Sequence, residues 1–178
     1  DVHTSILLGA VRVLEHYRDQ IAGSVLFFFQ PAEEILKGGL LFANSPKIDF
    51  SKIDGVAACH VSPEVDAGTI GVRYGAILAS ADELHITVKG KSGHGAHPHT
   101  VVDSVAIAAQ IIQALQYLVS RETAPNDAAV ISICSIHGGN ACNIIPETVE
   151  LAGTVRAVKP EVRNKLIQRI PQVCEGIA

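Results

Sequence analysis

Ser24-Val25-Leu26-Phe27-Phe28-Phe29-Gln30-Pro31-Ala32-Glu33-Glu34 is an apolar run that ends in a proline and two acids. Residues 25–29 are β-branched or aromatic at most positions and predict a strand buried on both faces. Gln30-Pro31 ends it, because proline removes a ladder donor. Glu33 and Glu34 then follow at the carboxyl end of a core strand, the edge where open α/β sheets place their ligands. Two adjacent carboxylates beside a core repel each other and lose hydration, so they require a cation or a shared proton. A divalent metal meets that need: one carboxylate binds it and the other takes a proton from metal-bound water. The alternative is structural, since acidic residues also suit the first turn of a helix.

The chain has 178 residues, enough for one ordinary domain or two small ones. A hydrophobic content of 48% with 18% charged residues describes a soluble globular protein with ample core material. The formal charge of −4 argues against nucleic acid or an anionic membrane surface as the main partner. No apolar run approaches the length of a membrane span. Cys59, Cys134, Cys142 and Cys174 show no CxxC spacing and read as thiols in a reducing compartment, which points to the cytoplasm. The chain starts at Asp1, contains no methionine, and reads as a fragment.

Residues 1–20 predict a helix, capped by Asp1 or Thr4, with an apolar stripe at Ile6, Leu7, Ala10, Val11, Val13 and Leu14. His3 sits at its start and reads as a surface or capping residue unless a metal lies near. Residues 38–43 predict a short helix and 45–51 a loop. Residues 54–61 predict a second buried strand ending at His60, whose imidazole would face the carboxylates of a neighbouring strand. Residues 68–73 predict a third strand. The pattern changes near Ala79. Residues 83–90 alternate as a half-exposed antiparallel strand, 100–120 form an amphipathic helix capped near Thr100 or Asp103, and 128–136 and 147–158 form a hairpin of strands. Pro160 opens a last helix that Pro171 should kink or end. This is the ferredoxin-like order without its final strand.

Two loops of this second half carry polar chemistry. Lys91-Ser92-Gly93-His94-Gly95-Ala96-His97-Pro98-His99 holds three histidines, which either bind metal adventitiously or supply a donor to a developing oxyanion. His137-Gly138-Gly139-Asn140-Ala141-Cys142-Asn143 holds an asparagine that either makes a turn or offers its amide to a substrate.

Together these stretches resemble one family, the M20 metallopeptidases, in the amidohydrolase branch with aminoacylase-like, hippurate-hydrolase-like and auxin-conjugate-hydrolase-like enzymes. The motifs are Asp1-Val2-His3-Thr4, Phe29-Gln30-Pro31-Ala32-Glu33-Glu34, Cys59-His60-Val61, Gly68-Thr69-Ile70-Gly71-Val72-Arg73, Gly93-His94-Gly95-Ala96-His97-Pro98-His99, Asn143-Ile144-Ile145-Pro146 and Gly153-Thr154-Val155-Arg156. They occur in the family's order along the whole chain. The resemblance implies an α/β catalytic domain holding two divalent metal ions (zinc, manganese, cobalt or nickel), with an inserted α+β lid that makes a homodimer. It assigns Glu33 as general base, Glu34 and His60 as metal ligands, and His94 as the lid histidine that reaches a neighbouring subunit's site. Asn143 and Arg156 match substrate-holding positions, Arg156 through a substrate carboxylate. Asp1 and His3 fall in the metal-binding segment without a firm ligand role.

The chain departs from the pattern in places. The family's Cys-Gly-His precedes the position of Asp1, and a further ligand histidine lies beyond the last residue here. Ser62 replaces a common aromatic residue and His97 a common methionine. The resulting expectation is a partial catalytic, metal-binding domain at residues 1–77 and a lid and dimerisation domain at 78–178 lacking its last strand. Its activity would be hydrolysis of the amide bond of N-acyl amino acids or dipeptide-like substrates, with this stretch inactive by itself. The rivals are a non-catalytic lid and dimerisation module with an incomplete metal site, and a cysteine hydrolase using Cys59 beside His60.

Overall fold

Apolar side chains at every second position of one segment, and at every third or fourth of the next, lay out the second half of the chain. In a computed structural model, which describes residues 1–34 and 37–178, the chain divides into two units, Asp1–Gly71 and Val72–Ala178. It is a mixed α and β structure. No helix among the described residues is long and apolar enough to cross a membrane.

The second unit runs β1 (Asp82–Lys89), β2 (Gly93–His94), α3 (Ser104–Ser120), β3 (Ala129–His137), β4 (Ile144–Ile145), β5 (Thr148–Ala157) and α4 (Pro160–Ile177). The earlier helices, α1 (Val2–His16) and α2 (Gly38–Ala43), belong to the first unit. β1, β5 and β3 form an antiparallel sheet in that order, while β2 and β4 form a separate two-stranded ribbon. Strand–helix–strand–strand–helix with this order is the ferredoxin-like α+β arrangement. Asp103 caps α3 by accepting from the amides of Val105 and Ala106, both at 3.0 Å.

One face of the sheet is covered. Ala108, Ile111, Leu115 and Leu118 recur at helical spacing on α3, and Val162, Leu166 and Ile170 on α4. They pack on Val149, Leu151, Val155 and Ala157 of β5, on Ile131 of β3 and on Val88 of β1. Gly153 is required in this layer: a Cβ there would sit 2.0 Å from the Ser132 carbonyl oxygen, beside the irregularity at Ile133/Ser135 of β3. Ser104 is fully buried, and its hydroxyl donates to the Pro146 carbonyl at 2.6 Å, tying the start of α3 to the approach of β5.

Ion pairs close the rim. Arg163 makes two hydrogen bonds to Asp82, at 2.7 and 2.5 Å. Arg169 grips Glu122 with two more, at 2.9 and 2.8 Å. Lys165 also donates to the Glu122 carbonyl. These Arg169 bonds, followed by the nearby Lys165 charge, hold the Glu122 carboxyl below its ordinary value of 4.5.

Pro171 does not end the last helix, which continues through it to Ile177. Proline costs the Ile167 carbonyl its partner. Ile167 is 41% exposed, so the defect lies on the solvent side of the helix. Ile170 before the proline and Val173, Cys174 and Ile177 after it all pack on the core, which holds the helix together across the defect.

The first unit departs further from the sequence reading. The strands expected at 25–29, 54–61 and 68–73 do not form; these segments have no ladder partners. Val25, Leu26 and Phe29 are exposed, as are Ile70 and Val72. The physical reason is cooperative. A strand buried on both faces needs neighbours for its amides and layers for its side chains, and the described residues of this unit contribute no buried hydrophobic side chain. The helices do form, because their hydrogen bonds are internal. α2 has the expected bounds, and residues 1–20 become α1 plus a 3₁₀ turn at Arg18–Gln20.

Two predictions follow from the second unit. Gly153→Ala overpacks the sheet against the Ser132 carbonyl and should cost about 2–3 kcal/mol in urea unfolding. Glu122, with its folded pKa lowered, adds stability that is complete above 4.5 and is lost as pH falls through the folded value. Glu122→Gln should therefore flatten that acid segment of the stability-versus-pH curve, while Glu161→Gln leaves it in place.

Candidate functional site

In the first unit two histidines distant in sequence meet. His3 lies in the first turn of α1 and His60 in the extended segment before Pro63, with ring centroids 4.5 Å apart. The Val61 amide donates to His3 Nε2 at 3.1 Å, and His60 Nδ1 lies 2.6 Å from the Val61 carbonyl oxygen. A carbonyl only accepts, so His60 carries its proton on Nδ1 and keeps the Nε2 lone pair. Metal-ligating histidines have this arrangement, with the second ring nitrogen donating to a carbonyl. His60 thus fits a ligand role.

Glu33 and Glu34 are exposed in a turn that follows Ala32, a residue with φ of 54°. A left-handed alanine is strained, and such strain clusters at functional turns. Close packing supports the turn: a Cβ on Gly38, at the start of α2, would lie 1.8 Å from the Pro31 carbonyl oxygen. Asp1 is the N-cap of α1, without a side-chain cap bond. Among the described residues no three histidine, cysteine, aspartate or glutamate side chains come together as a metal site. A catalytic zinc takes three protein ligands, so these residues meet the requirement in part: His60 has a suitable free nitrogen, and the carboxylates are not gathered around it.

In the second unit the structure joins His94 and Asn143. β2 pairs with β4 so that His94 faces Ile144, and the Gly95 amide donates to the Asn143 carbonyl at 2.8 Å. A Cβ on Gly95 would lie 3.4 Å from the same oxygen, an ordinary contact, so the pairing does not depend on glycine there. The Ala96 amide donates to His94 Nδ1 at 3.1 Å, so the neutral ring carries its proton on Nε2. That N–H is a donor of the kind that stabilises an oxyanion. His97 and His99 continue the row, each ring centroid 6.0 Å from the next.

Arg156 is elsewhere. It lies exposed on β5, paired with Val130, whereas the His94–Asn143 ribbon prolongs the other end of the sheet through the Gly90 amide, which donates to the Glu147 carbonyl. From Thr148 to Arg156 the strand spans roughly 26 Å at about 3.3 Å per residue. The motifs also passed over a group on the uncovered sheet face. His85, Thr87, Ser135, His137 and Glu150 line a shallow cavity of about 240 Å³. Strand alternation is the signal that would have placed them together.

Residues 79–178 match the family model of the M20 peptidase dimerisation domain. The chain is 44% identical over 178 residues to a Synechocystis protein named a probable hydrolase, covering 99% of this chain and 44% of that protein. It is 38% identical over 178 residues to an N-acetyl-L-cysteine deacetylase of Bacillus subtilis, covering all of this chain and 42% of the relative. A solved structure described as a dinuclear metal binding peptidase from the M20 family, also from Bacillus subtilis, superposes with a TM-score of 0.64 at 32% identity. That match covers 98% of this chain and 43% of the solved one. The chain therefore spans less than half the length of these relatives. With its α+β second unit matched over 100 residues by that model, the chain belongs to the M20 peptidases and contains their dimerisation domain.

Proposed function

We propose that the protein containing this chain hydrolyses the amide bond of N-acyl amino acids or related small amide and peptide substrates. The observation that carries this reading is the match along the whole chain to an enzyme named for deacetylating an N-acetyl amino acid. Residues 1–77 are then part of the metal-binding catalytic domain, and residues 78–178 are the lid through which two copies dimerise. The four free thiols fit a cytoplasmic location.

In this reading Glu34 and His60 hold metal, with Asp1 and His3 in the same segment. Two divalent ions, drawn from zinc, manganese, cobalt and nickel, supply Lewis-acid polarisation of the scissile carbonyl when bound. Glu33 accepts a proton from the attacking water and returns it to the leaving amine. The His94 Nε2–H donates to the developing oxyanion. Asn143 offers its amide to the substrate, and Arg156 pairs with the substrate carboxylate. His94 and Asn143 lie at one end of the sheet and Arg156 near the other, which supports a reading in which dimerisation assembles each site from two chains.

A second reading has one observation in its favour, the absence of a three-ligand cluster among the described residues. In it, this stretch is a lid and dimerisation module whose metal site is incomplete. Elemental analysis of the longer protein after dialysis separates the two, since metal near zero in both that protein and its Glu34→Ala variant supports the module. For the catalytic reading, Glu33→Gln in the longer protein should lower turnover of an N-acetyl amino acid by about 10²–10⁴-fold with metal content unchanged. Near-normal turnover would remove Glu33 from the mechanism.

A further inference from the structure

The peptide group after His60 is held from both sides by imidazoles. On one side the Val61 N–H donates to His3 Nε2 at 3.1 Å; on the other, the Val61 carbonyl accepts from His60 Nδ1 at 2.6 Å. Backbone groups have fixed roles, an amide as donor and a carbonyl as acceptor, so both tautomers follow. His60 has its proton on Nδ1 and a free pair on Nε2. Neutral His3 also has its proton on Nδ1, and its single lone pair is engaged by Val61. A neutral imidazole with one nitrogen protonated and the other accepting a hydrogen bond has no pair left for a metal. The 4.5 Å separation of the two rings brings His3 beside the ligand candidate in that state.

We infer that His3 is a positioning residue: through the Val61 amide it sets the place and the tautomer of His60, and it is not itself a metal ligand. The chain of contacts is short. α1 carries His3, His3 holds the Val61 peptide, and that peptide's carbonyl orients the His60 ring so that Nε2 is the free nitrogen. The segment around His60 has no strand ladder to hold it, so this long-range bond, across 58 residues of sequence, supplies an anchor that the local backbone lacks. Outer partners of this kind typically change metal affinity by about 10–100-fold when removed. That consequence rests on the proposed ligand role of His60; the anchoring does not.

The test uses the 178-residue chain labelled with ¹⁵N, as wild type, His3→Ala and His3→Gln, whose side-chain oxygen can still accept from Val61. Two-bond ¹H–¹⁵N spectra of the metal-free chain should show both His3 and His60 protonated on Nδ1. In His3→Ala the single His60 tautomer should be lost, and the Val61 amide should exchange with solvent at least ~10-fold faster. His3→Gln should retain both. Added Zn²⁺ should shift His60 Nε2 and leave the His3 nitrogens in place, with binding weakened about 10–100-fold in His3→Ala. A Zn²⁺-induced shift of His3 as large as that of His60 would make His3 a ligand and overturn the inference. Unchanged His60 tautomer and Val61 exchange in His3→Ala would make His3 a bystander and overturn it too. If Zn²⁺ moves neither ring, His3 is again not a ligand, and the tautomer and exchange data decide whether it positions His60.

Discussion

The second unit depends on the apolar seam where α3 and α4 lie on β5. Leu115 has no exposed surface, and Ile111, Leu118, Leu166, Leu151 and Val149 are nearly as enclosed. Removing that much apolar area from water is the dominant favourable term in such a fold. Everything chemical in the unit hangs from the seam. It fixes β5 against β1, and that pairing sets the register that carries Gly90 to Glu147 and places β2 beside β4. Only then do His94 and Asn143 meet. The uncovered sheet face, with His85, His137 and Glu150, is the reverse side of the same packing.

The first unit is organised on a different basis. Its described residues bury no hydrophobic side chain, and its order comes from the internal hydrogen bonds of α1 and α2 with a few specific contacts. Phe28 stacks near Phe42 with ring centroids 5.3 Å apart, Gly38 packs against Gln30-Pro31, and His3 holds Val61. Such contacts place individual groups without building a layer. That accounts for a site in which one imidazole is well prepared and the carboxylates of Glu33 and Glu34 stay apart from it.

How far the sequence could be read differs between the two halves for the same reason. In the second unit, the alternation over 83–90 and 147–158, the α3 stripe and the Asp103 cap each report interactions completed within the unit; the three long strands appear within a residue or two of expectation, and α3 starts at Ser104 where the reading began at 100. In the first, the apolar run at 25–29 states a demand for cover that the described residues of this unit do not meet, so the strand reading failed while both helices held. At Pro171 local chemistry predicts a kink or an end, and packing on both sides of the proline carries the helix through without an end.

The sequence alone determined the elements of the second unit and the residue types of the candidate site, because periodicity, caps and motif spacing are local properties of the chain. It also singled out His60, Glu33, Glu34, His94, Asn143 and Arg156 as residues to examine. Tertiary structure decided which of them stand together. His3 and His60 meet from opposite ends of the first unit's sequence, and His94 joins Asn143 through a two-stranded ribbon. Arg156 is held at the far end of β5 by strand register. Those separations follow from burial and backbone pairing between distant segments, which no local pattern records.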